Sequence, residues 1–216
     1  MGQIVPRRTY QNRIILSAGV SFDAGGLGNF SLGVGGTFTV NPITVGAGAN
    51  RALLVTVASA SAGGTISAVT WNGVGMTSLG LCTNVGDNLE LFGLVNPASG
   101  AQDLAITIGT GGFAMVGAIS FTGVNQSGGT TSFPGFVTSS DTVPYNVSSA
   151  TLDKVIAAFN NNSDPGPFTP SPTATIFKTN DAAQHAGLAY YPGATTVSVG
   201  TQFPARNAVG CSVKAA

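Results

Sequence analysis

Short runs of apolar and β-branched residues, each closed by Gly, Asn, Pro or Ser, recur along the chain from residue 37 onward. Arg51–Ala58 (RALLVTVA) and Phe113–Thr122 (FAMVGAISFT) are short for helices and rich in strand-forming residues, so they predict β-strands. Ile66–Trp71 (ISAVTW) alternates, which predicts a strand with one buried face. The other predicted strands are Thr37–Val40, Val74–Met76, Leu89–Val95, Leu104–Ile108, Phe136–Ser139, Val143–Val147, Lys154–Phe159, Ala186–Tyr191, Thr195–Val199 and Ala208–Lys214.

Turn signals separate these strands. Asn72–Gly73 stands between two strand-like runs, and both residues tolerate the positive φ of a type I′ turn, so the pair predicts a β-hairpin. Asn160–Pro172 contains four prolines and predicts a loop. Lys154–Phe159 fits either a strand or a short helical segment, and a strand is favoured because Asp153–Lys154 can form the turn before it. With almost no helix and no repeat of fixed period, the expected fold is all-β, an antiparallel β-sandwich or jelly roll.

The first 36 residues differ from the rest. Asp23–Gly36 is Gly-rich, and Arg7, Arg8 and Arg13 lie near the start. Residues 1–36 therefore predict an N-terminal arm, and residues 37–216 a β-sandwich domain. The arm is either a frayed terminus or a segment that becomes ordered on a neighbouring subunit, and in the second case the three arginines bind the partner.

Charge is scarce along the chain. Only 7% of the residues are charged and the net charge is zero, whereas an ordinary soluble domain is roughly 25% charged. Near-zero net charge promotes association, so we expect copies of the chain or a neighbouring protein to cover much of its surface. The same balance argues against a nucleic-acid partner, which needs clustered cations. No apolar stretch approaches the roughly 20 residues of a membrane helix, so no membrane contact is expected.

Several short motifs occur in a fixed order: Asn50–Val57 (NRALLVTV), Val69–Gly73 (VTWNG), Met76–Thr77, Leu91–Gly100 (LFGLVNPASG) and Ala118–Gln126 (AISFTGVNQ). In this order they resemble a β-sandwich module of tailed-bacteriophage virion structural proteins and of some secreted bacterial repeat proteins. The resemblance covers residues 37–126 and, more weakly, Ala208–Lys214. It implies a β-sandwich fold in a virion or surface setting, and it supplies no catalytic residues.

The first residues lack a basic start followed by the roughly 7–15 apolar residues of a secretion signal. This favours the phage setting, since virions assemble in the host cytoplasm. We therefore expect a virion structural protein, a capsid decoration (cement) protein or a related head or tail component. Its expected partners are copies of itself and other virion proteins, such as the major capsid protein or neighbouring head and tail subunits.

Catalytic chemistry has little support. His185 is the only histidine, and no G-x-S-x-G motif accompanies it. One histidine and two distant cysteines, Cys82 and Cys211, do not make a zinc site, and the cysteines are expected to be buried thiols, with a disulfide as the alternative. Asp87 and Glu90 are the only close acidic pair, which favours a solvated turn over a weak calcium site. We expect no enzyme activity and no cofactor.

The aromatic residues support a second hypothesis. Trp71 precedes the Asn72–Gly73 turn, and Tyr190 and Tyr191 precede a Pro-Gly pair. Exposed at such places, these three rings would stack on sugars, which predicts a carbohydrate-binding or adhesive module and a host-surface glycan as partner. For Trp71 the favoured alternative is a place in the core between two sheets.

Overall fold

The computed structural model describes residues 19–32, 35–60, 65–84, 86–109, 112–140, 145–161, 170–171, 175–181, 184–201 and 206–216. Within these ranges the chain is nearly all β, and its strand pairs are antiparallel, which confirms the all-β expectation. The first strands are β1 Ser21–Leu32, β2 Gly36–Val40, β3 Thr44–Val45, β4 Ala52–Ala60, β5 Ile66–Trp71, β6 Val74–Gly75, β7 Thr77–Asn84, β8 Asp87–Val95, β9 Gly100–Ala101, β10 Leu104–Ile108 and β11 Gly112–Thr122. The helix α1, Gly129–Ser132, precedes β12 Val137–Ser140, β13 Tyr145–Ser148, β14 Lys154–Asn161, β15 Pro170–Ser171, β16 Thr175–Asp181, β17 Gln184–Pro192, β18 Thr196–Thr201 and β19 Asn207–Val213.

Residues 19–122, the N half, form two main sheets. The N-central sheet has the strand order β1-β11-β4-β8-β7, and the N-outer sheet has the order β2-β10-β5-β6. Side chains from both sheets share one apolar cluster, which includes Leu53 and Val116 of the central sheet and Trp71 and Ile106 of the outer sheet. The two sheets therefore pack face to face. The short strands β3 and β9 pair separately.

Residues 137–213, the C half, repeat this plan. The C-central sheet has the order β12-β19-β14-β17-β16, and the C-outer sheet has the order β13-β18-β15. A second cluster joins their faces, with Phe159 and Tyr191 from the central sheet and Val147 and Val199 from the outer sheet. Strand for strand in chain order, the central sheets of the two halves have the same topology, and so do the three outer strands that correspond. The two halves therefore repeat one topology, although the sequence shows no repeat.

The two central sheets bury both of their faces. In β4, Leu53 and Val55 point to the N-outer sheet, whereas Leu54 and Ala58 join a third cluster shared with the C half. In β14, Ile156 joins that shared cluster while its odd-numbered neighbours face the C-outer sheet. Successive side chains of a strand point to opposite faces. The described sheets are therefore stacked in four layers, in the order N-outer, N-central, C-central, C-outer.

Strand β1 departs from the expected arm. Its residues, Ser21–Leu32, pair with β11 along the edge of the N-central sheet, although the sequence places them in a Gly-rich spacer. The carboxylate of Asp23 helps to hold this strand, since its Oδ2 accepts hydrogen bonds from the Gly46 amide at 2.8 Å and the Ser120 hydroxyl at 2.7 Å. Of the expected arm, residues 1–36, residues 1–18, 33 and 34 lie outside the described residues.

The connection between the halves packs on the N-central sheet. Phe133 is 1% exposed and belongs to the shared cluster. Its ring lies over Gly93, where an added Cβ would come within 2.6 Å of the ring. The chain ends beside this connection, because Asn125 donates its amide proton to the Lys214 carbonyl at 2.8 Å and Ala216 donates to the Gly123 carbonyl at 2.9 Å.

Candidate functional site

The candidate residues predicted from the sequence lie in different parts of the chain and in different environments. Arg7, Arg8 and Arg13, the predicted partner-binding residues of the arm, lie outside the described residues. The backbone of His185 pairs with β14 and β16 in the C-central sheet.

Trp71 lies inside the N half. It is 0% exposed, and its indole Nε1 donates a hydrogen bond to the Ala98 carbonyl at 2.9 Å. The Asn72–Gly73 turn forms as predicted, with φ of 49° and 76°, but the alternation of β5 directs the Trp71 side chain inward. A buried ring has no face to offer a sugar, so the stacking role suggested for Trp71 is not compatible with this structure. Its alternative place, in the core between two sheets, is the observed one.

The two adjacent tyrosines point to opposite faces of β17. Tyr191 is 1% exposed in the cluster between the C-central and C-outer sheets, so it cannot stack on a sugar either. Burial raises the pKa of Tyr191 to about 12. Tyr190 is half-buried, and the ring of Phe22 already stacks on it at a centroid distance of 4.9 Å.

Both cysteines are buried free thiols, as favoured from the sequence. Cys211 lies at the contact of the two central sheets, where burial raises the pKa of its thiol. Cys82 contacts the Asn207 side-chain oxygen at 3.4 Å and the Ser139 carbonyl at 3.5 Å. These surroundings give neither thiol the exposure that a nucleophile needs.

The acidic pair Asp87 and Glu90 does not form a common site. Asp87, which is 2% exposed, forms an ion pair with Arg206 at 2.9 Å. Glu90 accepts a hydrogen bond from the Ser78 hydroxyl at 2.5 Å, and burial raises the pKa of its carboxyl despite that bond. Asp87 therefore links β8 to Arg206, the residue before β19. Among the described residues, no group of three or more His, Cys, Asp or Glu side chains could hold a metal ion.

A cleft of about 590 Å³ opens beside the chain end, lined by Pro134, residues 148–153, Ser212 and residues 214–216. The buried Asp153 carboxylate in its lining accepts hydrogen bonds from the Ser212 hydroxyl at 3.1 Å and the Ala215 amide at 2.8 Å. The hydroxyls of Ser149 and Ser212 lie 2.8 Å apart. The fold itself uses these polar groups, so they hold the chain end in place.

The outward side of the N-outer sheet carries a regular surface that the sequence reading missed. We call it the hydroxyl face; its residues are Thr37, Thr39, Ala68, Thr70, Ala105 and Thr107. Strand pairing sets them in two rows across β2, β10 and β5, Thr37–Thr107–Ala68 and Thr39–Ala105–Thr70. The signal was present in the sequence, because these residues alternate with the apolar residues that face the core.

The hydroxyl face has no charged side chain among its six residues. The Thr37 and Thr107 hydroxyls hydrogen-bond to each other at 2.7 Å, and the Ser67 hydroxyl donates to the Thr107 carbonyl at 3.2 Å. Asp103, exposed and one residue before β10, marks the rim of the face. The described outward residues of the C-outer sheet, Asn146, Ser148, Thr196 and Ser198, are also uncharged.

Comparison with known proteins gave no relative: no family model, no curated protein and no solved structure matches the chain. The resemblance to the phage β-sandwich module therefore stays a prediction. The described part of the chain contains no helix with the length and apolar character needed to cross a bilayer.

Proposed function

We propose that the chain is a structural protein of a phage virion, a capsid decoration protein or a related head or tail component. In this role it contributes surface and contacts to a particle and carries out no reaction. The proposal is supported by the scarcity of charge, by a motif order that resembles that of virion modules, and by the layered all-β body. Its proposed location is the virion, assembled in the host cytoplasm.

The proposal also includes the finer fold. Each half pairs a five-stranded sheet with a smaller sheet across an apolar cluster, which is the arrangement expected of a β-sandwich. We propose two β-sandwich units, packed back to back through their larger sheets. Such a body is rigid, and it presents one smaller sheet at each end of the stack.

The observation that carries the proposal is the chemistry of the two outer sheets. Six of the eight faces of the four main sheets are covered by apolar clusters, and the two that remain are uncharged where the structure describes them. A protein that stays dispersed in solution benefits from interspersed surface charge. An uncharged surface at both ends of a stack suits a subunit that is covered in an assembly.

Three features of the sequence were candidates for a carbohydrate-binding module, but Trp71 and Tyr191 are buried and the Tyr190 ring stacks on Phe22. We therefore advance no second function.

The test is the protein content of particles. Virions released by the strain that encodes the chain would be purified by density gradient, treated with protease to remove adhering proteins, and analysed by mass spectrometry. We expect peptides from this chain at a stoichiometry comparable to other structural proteins. An abundant host cytoplasmic protein serves as the contamination control. If the chain is no more enriched than this control, the virion role is wrong.

A further inference from the structure

We propose that the hydroxyl face is a self-association surface that binds the same face of a second copy of the chain. The inference deepens the proposed function, and rests on it for its setting, because it names one partner of the assembling subunit. Its physical content concerns six residues on three neighbouring strands.

Geometry makes the hydroxyl face suitable for another sheet. Neighbouring strands lie about 4.8 Å apart and same-side residues about 7 Å apart along a strand, so the two rows form a small regular grid. Its side chains are all Thr or Ala, and no long side chain projects from the grid. Two such grids can approach to the roughly 10 Å spacing of stacked sheets.

The hydroxyl groups partly satisfy one another. Because Thr37 and Thr107 share a hydrogen bond at 2.7 Å, covering these two groups costs less than covering free hydroxyls. Their methyl groups and the side chains of Ala68 and Ala105 remain available for contact with a partner. The face thus offers apolar contact with little unsatisfied polar surface.

The lack of charge on the hydroxyl face indicates which partner it binds. A strongly acidic partner would bury its charges against a face with no cation, and a strongly basic one would meet only Asp103 at the rim, so both are unfavourable. A second copy brings an identical uncharged face, and the zero net charge of the chain adds no long-range repulsion between copies. A twofold pairing places each patch against its own copy. The second copy is therefore the partner that fits best.

The area of the hydroxyl face limits how tightly two copies can bind each other. A grid of three strands by two rows covers a few hundred Å², below the roughly 800 Å² per partner of a stable interface. The pairing is therefore weak in solution, with a Kd on the order of 1 mM. It becomes effective where many copies are held side by side, because a tethered second contact forms at a high effective concentration.

The test uses the full chain in sedimentation velocity and NMR diffusion experiments from about 10 μM to 1 mM. We expect the weight-average mass of the wild type to rise with concentration. Ala105→Arg and Ala105→Glu, at the centre of the grid, should each weaken association at least tenfold, because twofold pairing brings like charges together. Ser127→Arg, exposed in the connection between the halves, is the matched control and should associate as the wild type does.

An equimolar mixture of Ala105→Arg and Ala105→Glu gives the decisive result. If the face binds its own copy, the mixture should regain association, because opposite charges then meet. Far-UV circular dichroism confirms that each variant is folded. A monomeric wild type at 1 mM, an Ala105→Arg variant that still associates, or a mixture that stays monomeric overturns the proposal. Glycan binding lost in the Ala105 variants without self-association would also overturn it, in favour of a saccharide ligand.

This outcome is separable from the virion test. A chain that is present in particles but monomeric at 1 mM refutes the pairing and leaves the virion role intact. A chain that pairs through the hydroxyl face but is absent from particles does the reverse.

Discussion

The ring of Phe22 stacks on the ring of Tyr190, with centroids 4.9 Å apart and planes 10° apart. Phe22 belongs to β1 of the N-central sheet, and Tyr190 belongs to β17 of the C-central sheet. Phe121 meets both rings edge-on, at 6.4 Å and 5.8 Å. The stack is therefore a direct contact between the two halves, at the edge of their shared cluster.

Removing the ring of Phe22 should weaken the contact between the halves. An aromatic pair contributes about 0.5–1.5 kcal/mol beyond the area it buries, so a double-mutant cycle of Phe22→Leu and Tyr190→Leu should show a coupling free energy in that range. Urea unfolding measures the four free energies. Additive effects of the two substitutions would mean that the stacked geometry contributes nothing.

The ion pair between Asp87 and Arg206 should contribute more to the unfolding free energy than the stack of Phe22 on Tyr190 does. Asp87 is almost fully buried, and Arg206→Met removes its cation while keeping most of the side-chain stem. We expect a loss of about 3 kcal/mol in unfolding free energy. Adding Asp87→Asn should recover part of the loss, because an amide needs no counter-ion. Lys214→Met, which removes an exposed cation, is the control and should change stability by no more than about 0.5 kcal/mol.

Gly93 should not tolerate a larger residue. An alanine Cβ there would lie 2.6 Å from the ring of Phe133, so Gly93→Ala should destabilise the protein by about 1–3 kcal/mol. Gly75→Ala is the matched control, since it also lies in a strand but has no neighbouring atom within 4 Å of an added Cβ. Equal melting temperatures for the two variants would contradict this packing of the connection.

Tyr191 should make the protein less stable in alkali. Its pKa rises from 10.0 to about 12 on burial, so between these values the unfolded chain has lost the phenol proton while the folded chain keeps it. Stability should therefore fall with rising pH, by up to about 1.4 kcal/mol per pH unit from this group. Tyr191→Phe should remove that part of the slope between pH 10 and 12 and leave only a constant offset below pH 9. Urea titrations across this range provide the measurement, and an unchanged slope would contradict the burial of the phenol.

Trp71 gives a direct optical check. It is the only tryptophan in the chain, and it is fully buried. Its emission should be blue-shifted and poorly quenched by acrylamide in the folded protein, and should shift to the red in urea. Addition of neutral oligosaccharides should leave the spectrum unchanged. Free quenching in the native state would restore the hypothesis of an exposed stacking ring.

Two strands that the sequence predicted well have one face against another sheet and one face turned outward. Ile66–Trp71 and Leu104–Ile108 match β5 and β10 in full, because each has one covered face and one outward face. The preference for a strand at Lys154–Phe159 is confirmed by β14. In these segments local pattern and tertiary burial agree.

Physical reasons explain why β7 and β1 were not predicted as strands. In β7 a register shift between Ser78 and Gly80 breaks the two-residue period, so the buried Leu79 and Cys82 stand three residues apart. β1 is rich in glycine, which has low strand propensity, and it depends on its pairing with β11. Pairing between segments that are distant in the chain leaves little signal in the local sequence.

The site residues show the same limit. Alternation marks Trp71 and Thr70 as facing opposite ways, but it does not say which face another sheet covers. The sequence left two places open for Trp71, exposed beside the turn or, as favoured, in the core between two sheets, and the structure shows the core position. The hydroxyl face becomes recognisable only when the register aligns Thr37 with Thr107 and Thr39 with Ala105.

The back-to-back packing of the two halves has a consequence for how the protein holds together on dilution. If the halves were separated at the connection, each would expose to water the apolar face of its five-stranded sheet, which carries residues such as Leu54 and Phe121 in the N half and Ile156 and Leu188 in the C half. Joining the halves in one polypeptide turns a bimolecular encounter into an intramolecular one. The contact between the halves therefore does not depend on protein concentration, and a single chain forms it without a second copy.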